Sequence, residues 1–261
     1  MEISGAHVLL TGASRGIGRA AAEHLAARGA RLSLVARAAG PLEELAARLG
    51  ATAYPTDLGD PVAVRGLVAK VEAAAGPVDV LVNNAGIDVA GAFLDADQDA
   101  IAEILAVNLA APIALCRAVL PGMVERGRGQ VVNVSSGYAH AATPGAAIYA
   151  TTKAGLSRFT GALRMELRGT GVTATVVEPG PIDTELYAAF AATSAGTAMK
   201  RLTKLGLLAH GTTQQVADAI EAVIAGDLPR RAIPRRNGFA ASVATFPERI
   251  SRAVTRGIPA R

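Results

Sequence analysis

Short apolar runs alternate with longer, alanine-rich amphipathic segments along most of this chain. The apolar runs predict six β-strands, near residues 6–11, 31–36, 52–54, 78–82, 130–134 and 172–177. The segments between and after them predict helices at residues 17–28, 41–49, 61–75, 97–125, 147–168 and 213–226. Strands that alternate with helices in this way are typical of βαβ units stacked on a parallel sheet.

With right-handed crossovers, this order predicts an α/β fold with a Rossmann-type, doubly wound parallel sheet between two layers of helices. We expect a single domain of three layers over residues 1–228, with its ligand site at the carboxyl ends of the strands. A substrate lid is expected near residues 185–212. Residues 229–261 are expected to form a basic C-terminal extension.

Composition narrows the class of protein. The chain has 261 residues, of which 51% are hydrophobic, so it can bury one substantial core. Its net charge of +4 is uneven, because residues 230–261 hold eight Arg and only one acid, Glu248. The remaining body is slightly acidic, which argues against a nucleic-acid partner.

Few cysteine and histidine residues are present. Cys116 is the single cysteine, which excludes an internal disulfide, and no Cys/His cluster has the spacing of a metal site. A strand-like run begins within a few residues of Met1 and leaves no room for a signal peptide. No apolar run approaches the ~20 residues that span a bilayer. We therefore expect a cytoplasmic protein without a metal.

The first predicted strand leads directly into a glycine-rich loop and then a helix. The loop reads Thr11-Gly12-Ala13-Ser14-Arg15-Gly16-Ile17-Gly18. Gly12 permits a tight turn, Gly16 lets backbone N–H groups approach a pyrophosphate, and Gly18 lets the helix close on the sheet. A purely structural turn is the alternative, although the position between strand and helix favours a dinucleotide site.

The loop's spacing resembles that of the short-chain dehydrogenase/reductase family. Three residues separate Gly12 from Gly16 and one separates Gly16 from Gly18, unlike the more familiar G-x-G-x-x-G. Two further motifs are similar: Asp57-Leu58 after strand three, and Asn83-Asn84-Ala85-Gly86 after strand four. In the family the first contacts adenine and the second lies beside the adenosine ribose. The resemblance covers roughly residues 5–226 and implies an oxidoreductase.

The end of strand two distinguishes NAD from NADP. An acidic residue there would bind the ribose 2′-hydroxyl and repel a 2′-phosphate. The strand instead leads into Arg37, and Arg15 in the glycine-rich loop is expected to approach the same phosphate. Solvated surface arginines are the alternative reading, and NADP(H) is the predicted cofactor.

Four residues form a candidate catalytic group. Tyr149 and Lys153 stand four apart at the start of a predicted helix, so both project from one face. Ser136 closes the fifth strand, and Asn108 lies in the long helix before it. Alone, Ser136 would be a strand-end cap and Asn108 a surface amide. Together they occupy the positions that such groups have in the resembled family.

Each group has an expected role. A phenol has a pKa of ~10, and a neighbouring ammonium and the positive nicotinamide ring are expected to lower it. Tyr149 is then the general acid in reduction and the base in oxidation. Lys153 also binds the nicotinamide ribose, and Ser136 donates to the substrate oxygen. The resemblance implies that Asn108 positions a water that links the lysine to solvent.

The segment after strand six reads Glu178-Pro179-Gly180-Pro181-Ile182-Asp183-Thr184. It resembles the family's P-G-x-x-x-T motif, which implies that Pro179, Gly180, Ile182 and Thr184 meet the nicotinamide carboxamide. A plain proline-glycine turn is the alternative.

The C-terminal sequence departs from many bacterial relatives. Those end with a strand similar to T-G-x-x-x-x-V-D-G-G, whereas this chain has Leu228-Pro229-Arg230-Arg231. This lowers the expectation of a ketoacyl reductase and of the tetramer contact that such a strand provides, although a homodimer or homotetramer is still expected. Phe239, Val243, Phe246, Ile250 and Val254 recur at helical spacing beyond it. That stripe favours packing on protein over binding to a membrane surface.

The substrate is expected to be a small apolar carbonyl or alcohol. The predicted lid is mostly Ala and includes Leu186, Tyr187, Phe190, Met199 and Leu205. His140, between Ser136 and Tyr149, lines the pocket or lies in a surface loop. Two other functions stay open: a catalytically silent dinucleotide sensor or scaffold, and a membrane-peripheral reductase of lipid-like carbonyls.

Overall fold

Seven parallel strands form the centre of the molecule. The computed structural model describes residues 1–88, 91–140, 142–184, 187, 194–206, 208–235 and 237. The strands are β1 (His7–Thr11), β2 (Arg31–Ala36), β3 (Thr52–Pro55), β4 (Val80–Asn83), β5 (Gly129–Val134), β6 (Val172–Pro179) and β7 (Arg230–Ile233). Their order across the sheet is β3-β2-β1-β4-β5-β6-β7, and every neighbouring pair is parallel.

Helices cover both faces of this sheet. They are α1 (Gly16–Ala27), α2 (Ala39–Leu49), α3 (Pro61–Ala75), α4 (Gln98–Leu105), α5 (Ala111–Glu125), α6 (Ala147–Glu166), α7 (Ser194–Lys204) and α8 (Thr213–Gly226). Because side chains alternate along a strand, Val8 and Leu10 of β1 pack in one core with α1, α2 and α8. Leu9 packs in the other, with α3 and α5. The predicted single α/β domain of three layers is confirmed.

The winding direction reverses beside β1. The chain proceeds from β1 to β2 and β3 on one side, and from β4 to β7 on the other. Loops that leave the carboxyl ends of β1 and β4 therefore diverge and open a crevice between them. This is where the sequence predicted the ligand site.

The sheet continues beyond the expected domain boundary at residue 228. Arg230–Ile233 forms β7, which pairs with Val176–Pro179 of β6. The sequence prediction ended the domain earlier and assigned the two consecutive arginines to the basic extension. An edge strand accepts them, since it packs against a neighbour on one side only. The rest of the predicted extension, residue 236 and residues 238–261, lies outside the described residues.

The predicted long helix 97–125 is divided. α4 and α5 are joined by a π-helical turn, Ala106–Ala110, that contains Asn108. The whole run, Gln98–Glu125, has a mean hydropathy of 1.8 and meets the length and composition of a membrane-spanning helix, contrary to expectation. In the fold 44% of its most apolar window is buried, and α5 packs Leu115 and Val119 into the core. Core helices commonly meet the same criteria.

Candidate active site

A cleft of about 740 Å³ opens at the carboxyl ends of the strands. Every predicted cofactor contact lines it: Gly12, Ser14, Arg15, Gly16, Ile17, Gly18, Arg37, Asp57, Leu58, Asn84, Ala85, Gly86, Tyr149, Lys153, Pro179, Gly180, Ile182 and Thr184. Ser136 lines it as well. Asn108 is fully buried behind the cleft wall. The fold thus brings together motifs that are far apart in sequence.

The glycine-rich loop packs closely against the segment after β4. Gly12 has φ +67°, and a Cβ there would lie 2.7 Å from the Cα of Ala85. A Cβ on Gly18 would lie 2.0 Å from the carbonyl oxygen of Gly12. Only glycine allows α1 to begin this close to β1, which places its N-terminus at the cleft. Backbone N–H groups there can bind a pyrophosphate.

Thr11 joins this loop to the segment after β4. Its hydroxyl oxygen accepts hydrogen bonds from the backbone N–H groups of Asn84 (3.0 Å) and Ala85 (3.1 Å). The Asn84 amide donates to the carbonyl oxygens of Thr11 (3.0 Å) and Gly12 (3.2 Å). Sequence reasoning passed over Thr11, although it opens the glycine motif. The four bonds hold two walls of the cleft together.

Arg37 follows β2 at the rim of the cleft. Its Nη1 donates to Oε1 of Glu103 on α4 over 2.9 Å, and its side chain is 65% exposed. Arg15 is also exposed and lines the same cleft. Asp57 Oδ1 accepts from the N–H of Gly59 over 2.9 Å. Glu103 was not identified from the sequence, because it lies 66 residues from Arg37.

Tyr149, Lys153 and Ser136 converge in the cleft. The Tyr149 phenol is hydrogen-bonded to Ser136. Lys153 Nζ lies 5.8 Å from the centroid of the Tyr149 ring and donates to the carbonyl oxygen of Val134 over 3.0 Å. Helix α6 brings Tyr149 and Lys153 to one face, and the end of β5 brings Ser136 to meet them.

The protein's own residues raise the pKa of Tyr149, and the expected lowering by a bound nicotinamide ring stays a prediction. Burial raises this pKa to about 12, against the lowering effect of the Ser136 hydrogen bond, and the charge of Asp88 raises it further. Burial lowers the pKa of Lys153 to about 8, although Asp88 acts in the opposite direction. Removing a group from water disfavours its charged form in both cases. The protein's own environment therefore keeps Tyr149 a neutral phenol, which is a proton donor.

Asn108 ties the wall of the cleft to α6. Its Oδ1 accepts from the N–H of Ile87 and its Nδ2 donates to the carbonyl oxygen of Ile87, each over 2.8 Å. Nδ2 also lies 3.2 Å from the hydroxyl of Thr152. The π-turn directs this amide inward. Its expected part in holding a water stays a prediction.

The segment after β6 forms the wall opposite the glycine-rich loop. A Cβ on Gly16 would lie 3.5 Å from Cγ2 of Thr184, so the two segments face each other across the cleft. Thr184 Oγ1 donates to the carbonyl oxygen of Ile182 over 3.3 Å and accepts from the N–H of Tyr187 over 3.2 Å.

Several cleft residues carry no recognisable sequence motif. Tyr138 packs edge-on against Tyr149, with ring centroids 6.0 Å apart. Asp88 places a negative charge near Tyr138, Tyr149 and Lys153. Asn237 binds the backbone of Ala209 through two hydrogen bonds of 3.0 Å each. Their positions follow from tertiary packing alone.

The part of the cleft beyond Tyr149 is largely apolar. Its lining includes Ile87, Tyr138, Tyr187, Met199, Leu202 and Leu208. Of the predicted lid residues, Tyr187 and Met199 line the cleft, whereas Leu205 is 67% exposed. Leu186 and Phe190 lie outside the described residues.

His140 is one of the polar residues of the cleft. It lines the cleft and binds Glu178, a residue that the sequence prediction did not select. Within the described ranges, no three His, Cys, Asp or Glu side chains form a group that could hold a metal ion.

Comparison with known proteins gives one consistent family. A family model for short chain dehydrogenases matches residues 6–195. The 3-oxoacyl-[acyl-carrier-protein] reductase FabG of Escherichia coli is 34% identical over 235 residues, which cover 87% of this chain and 92% of FabG. The ketoacyl reductase HetN of Nostoc is 40% identical over 183 residues, or 68% of this chain and 64% of HetN. This chain spans less than two thirds of the length of several curated relatives that it matches.

Solved structures agree with these relatives. A short-chain dehydrogenase from Burkholderia cenocepacia J2315, solved in complex with NADP, superposes with a TM-score of 0.78 at 32% sequence identity. The superposition covers 90% of this chain and 98% of that one.

Proposed function

This chain belongs to the short-chain dehydrogenase/reductase family, and from that premise we propose that it is an NADP(H)-dependent enzyme that interconverts a carbonyl and a secondary alcohol. One observation carries the proposal. Tyr149 and Ser136 are hydrogen-bonded in a cleft where Lys153 lies beneath the tyrosine ring and a glycine-rich helix start faces them. A proton donor and an oxyanion donor thus point into one volume.

Ser136, Tyr149 and Lys153 each have a separate role in the proposed reaction. Bound nicotinamide would supply the hydride in reduction and accept it in oxidation. Ser136 donates a hydrogen bond to the substrate oxygen, where negative charge develops. Tyr149, held protonated by burial, gives its proton to that oxygen in reduction. Lys153 restrains the phenol and binds the nicotinamide ribose.

Two arginines support NADP over NAD. Arg15 and Arg37 line the adenosine end of the cleft, and Arg37 occupies the position where a carboxylate would bind a free 2′-hydroxyl. Planar guanidinium groups suit a phosphate because they offer paired charged donors. The NADP complex of the Burkholderia relative supports the same choice. NADPH usually serves reduction, so reduction is the proposed direction.

The substrate class follows from the apolar end of the cleft. Met199 and Leu208 pack in one apolar cluster with Tyr149, and Ile87 and Leu202 line the same cleft. Burial of an apolar substrate there is favourable by about 25 cal/mol per Å² of apolar area. We therefore propose a small, largely apolar ketone or aldehyde as the substrate.

The decisive experiment compares Tyr149→Phe with the unmodified protein. NADPH and NADH oxidation is followed across a panel of ketones, ketoacyl thioesters, quinones and steroids. Loss of the phenolic proton should lower kcat by about 10²-fold or more, because general acid catalysis contributes at least that much. NADPH binding, followed by fluorescence titration, should change little.

Tyr54→Phe is the matched control. Tyr54 is a buried tyrosine in the core beneath α3, and its hydroxyl has no hydrogen-bond partner. Its substitution removes the same atom away from the cleft and should leave kcat unchanged. Turnover that persists in Tyr149→Phe would contradict the tyrosine mechanism. Tight NADPH binding without turnover of any substrate would favour a dinucleotide sensor.

A further inference from the structure

A buried carboxylate lies in the wall of the candidate active site. Glu178 is the penultimate residue of β6, next to Pro179 of the segment that faces the glycine-rich loop, and is only 3% exposed. A buried charge is costly unless it is paired and hydrogen-bonded. Its partners therefore indicate what it does.

Three elements supply those partners. Arg230 of β7 donates from Nε to Oε2 of Glu178. His140 Nε2 lies 2.8 Å from Oε1 of Glu178 and 2.8 Å from Nη2 of Arg230. The hydroxyl of Ser157 on α6 lies 2.9 Å from the same Oε1. The charged and titratable groups that act on Glu178 are His140 and Arg230, and α6 contributes a neutral hydroxyl.

The network continues to the residues on either side of Ser136. Ser157 Oγ lies 2.8 Å from Oγ of Ser135, and Ser135 Oγ donates to the carbonyl oxygen of Lys153 over 2.8 Å. His140 ends the short 3₁₀ turn, Gly137–His140, that follows Ser136. Ser136 is thus tied to Glu178 through Ser135 on one side and through His140 on the other.

We propose that Glu178, with Arg230 as its counter-ion, is a positioning residue that fixes the Ser135–His140 segment against β6 and α6 and thereby holds Ser136 in place for the reaction. This inference rests on the function proposed above. Glu178 acts through Ser136 and does not itself touch the reacting atoms. A displacement of the oxyanion donor by about 1 Å can remove a large part of the rate enhancement. The residues that hold Ser136 in place should therefore affect kcat.

The ionised state of Glu178 depends on its two partners, His140 and Arg230. Burial acts to raise the pKa of the Glu178 carboxyl, but His140 and Arg230 together outweigh it and hold the pKa below its usual range. Removing the guanidinium takes away the part of the lowering that Arg230 contributes, so that pKa should rise relative to the unmodified protein. As the pH falls, the carboxyl then takes up a proton and releases the catalytic segment.

The test is Arg230→Met in the full chain, with kcat measured against pH. In both proteins kcat is compared at about pH 8 and about pH 5.5. We expect the decrease in kcat over this range to be about tenfold larger in Arg230→Met than in the unmodified protein, and we call this extra decrease the added acid limb. The dissociation constant for NADPH should stay within about twofold at each pH, because the dinucleotide loop is not part of the network.

The double variant Arg230→Met/Glu178→Gln distinguishes an effect of protonating Glu178 from a general loss of structure. Glutamine cannot titrate, so the added acid limb should disappear and kcat should recover at low pH. Arg231→Met, which removes the same charge from the next residue of β7, should show no added limb. Far-UV circular dichroism confirms that each variant is folded.

Three outcomes would overturn the inference. The acid limb could be absent in Arg230→Met, it could persist when Glu178 is glutamine, or it could appear only in the unfolding temperature and not in kcat. An unmodified protein that turns over no substrate would instead contradict the proposed function, and the inference with it.

Discussion

Burial shifts the pKa values of Tyr149 and Lys153 in opposite directions. It raises the pKa of the tyrosine to about 12 and lowers that of the lysine to about 8. Both shifts favour the neutral form, because a charge loses its hydration inside the protein. A neutral phenol is the form that donates a proton, which agrees with the proposed reduction. Oxidation needs the phenolate and should therefore gain more from high pH.

Arg37 provides a test of cofactor choice at the scale of one side chain. Arg37→Gln removes a charged donor from the cleft rim and should weaken NADPH binding about tenfold to a hundredfold, since a hydrogen bond to a charged group contributes ~1.5–3 kcal/mol. NADH lacks the 2′-phosphate, so its binding should change little. Fluorescence titration with both dinucleotides measures the difference.

Arg48→Gln is the control for that substitution. Arg48 is an exposed arginine on α2 that also pairs with a carboxylate, Glu23, and it does not line the cleft. Its loss should affect neither dinucleotide. If Arg37→Gln weakened the binding of NADPH and of NADH equally, Arg37 would not contact the 2′-phosphate.

At the scale of the elements, the π-turn between α4 and α5 orients a side chain, Asn108, that supports the candidate active site. A regular helix would direct Asn108 differently, whereas the extra residue in the turn aims its amide at Ile87. Single-turn π-bulges are frequent at functional sites for this reason. Here the turn fixes the chain just after the Asn84–Gly86 motif.

Asn108→Ala tests that role. It leaves the N–H and carbonyl groups of Ile87 without their side-chain partner and should lower the free energy of unfolding by about 1–3 kcal/mol. Because Ile87 lines the cleft, kcat should fall as well. Urea unfolding followed by circular dichroism measures the first effect.

Gln98→Ala, at the exposed start of α4, removes a comparable amide and should cost less than about 0.5 kcal/mol. If Asn108→Ala were as mild as this control, the amide would not support the cleft wall.

At the scale of the whole molecule, α4 and α5 present apolar side chains to the outside. Leu105 is 38% exposed, Ile113 is 36% exposed and Val124 is 40% exposed. We propose that this face lies between subunits of a homodimer or homotetramer. Exposed apolar side chains on neighbouring elements favour association because burying them removes apolar area from water.

Analytical ultracentrifugation of Ile113→Glu checks this proposal. The charge should shift the protein toward the monomer, because an unpaired carboxylate in an apolar interface is costly. Val62→Glu places the same charge on α3, where Val62 is 65% exposed, and should leave the association unchanged. A protein that sediments as a monomer before any substitution would contradict the proposal.

Local pattern was enough to predict much of this protein. The strands β1 to β6 and most helices follow from hydrophobic period, because each buries one recognisable face or run. The cofactor cleft also follows from sequence, since glycine motifs and strand ends are local and a parallel sheet brings its carboxyl ends to one edge. Tyr149 and Lys153 follow from helical spacing, and Ser136 was placed with them through the family resemblance.

Tertiary structure decided what depends on distant partners. Arg230 is recognisable as part of a strand only beside β6, and its contact with Glu178 joins residues 52 apart. The pairing of Arg37 with Glu103 and the π-turn at Asn108 have no local signature either. Burial, which is a property of the folded molecule, raises the pKa of Tyr149, and the expected lowering by a positive nicotinamide ring stays a prediction. Sequence thus determined which groups meet at the cleft, whereas packing determined their charge, their supports and the extent of the sheet around them.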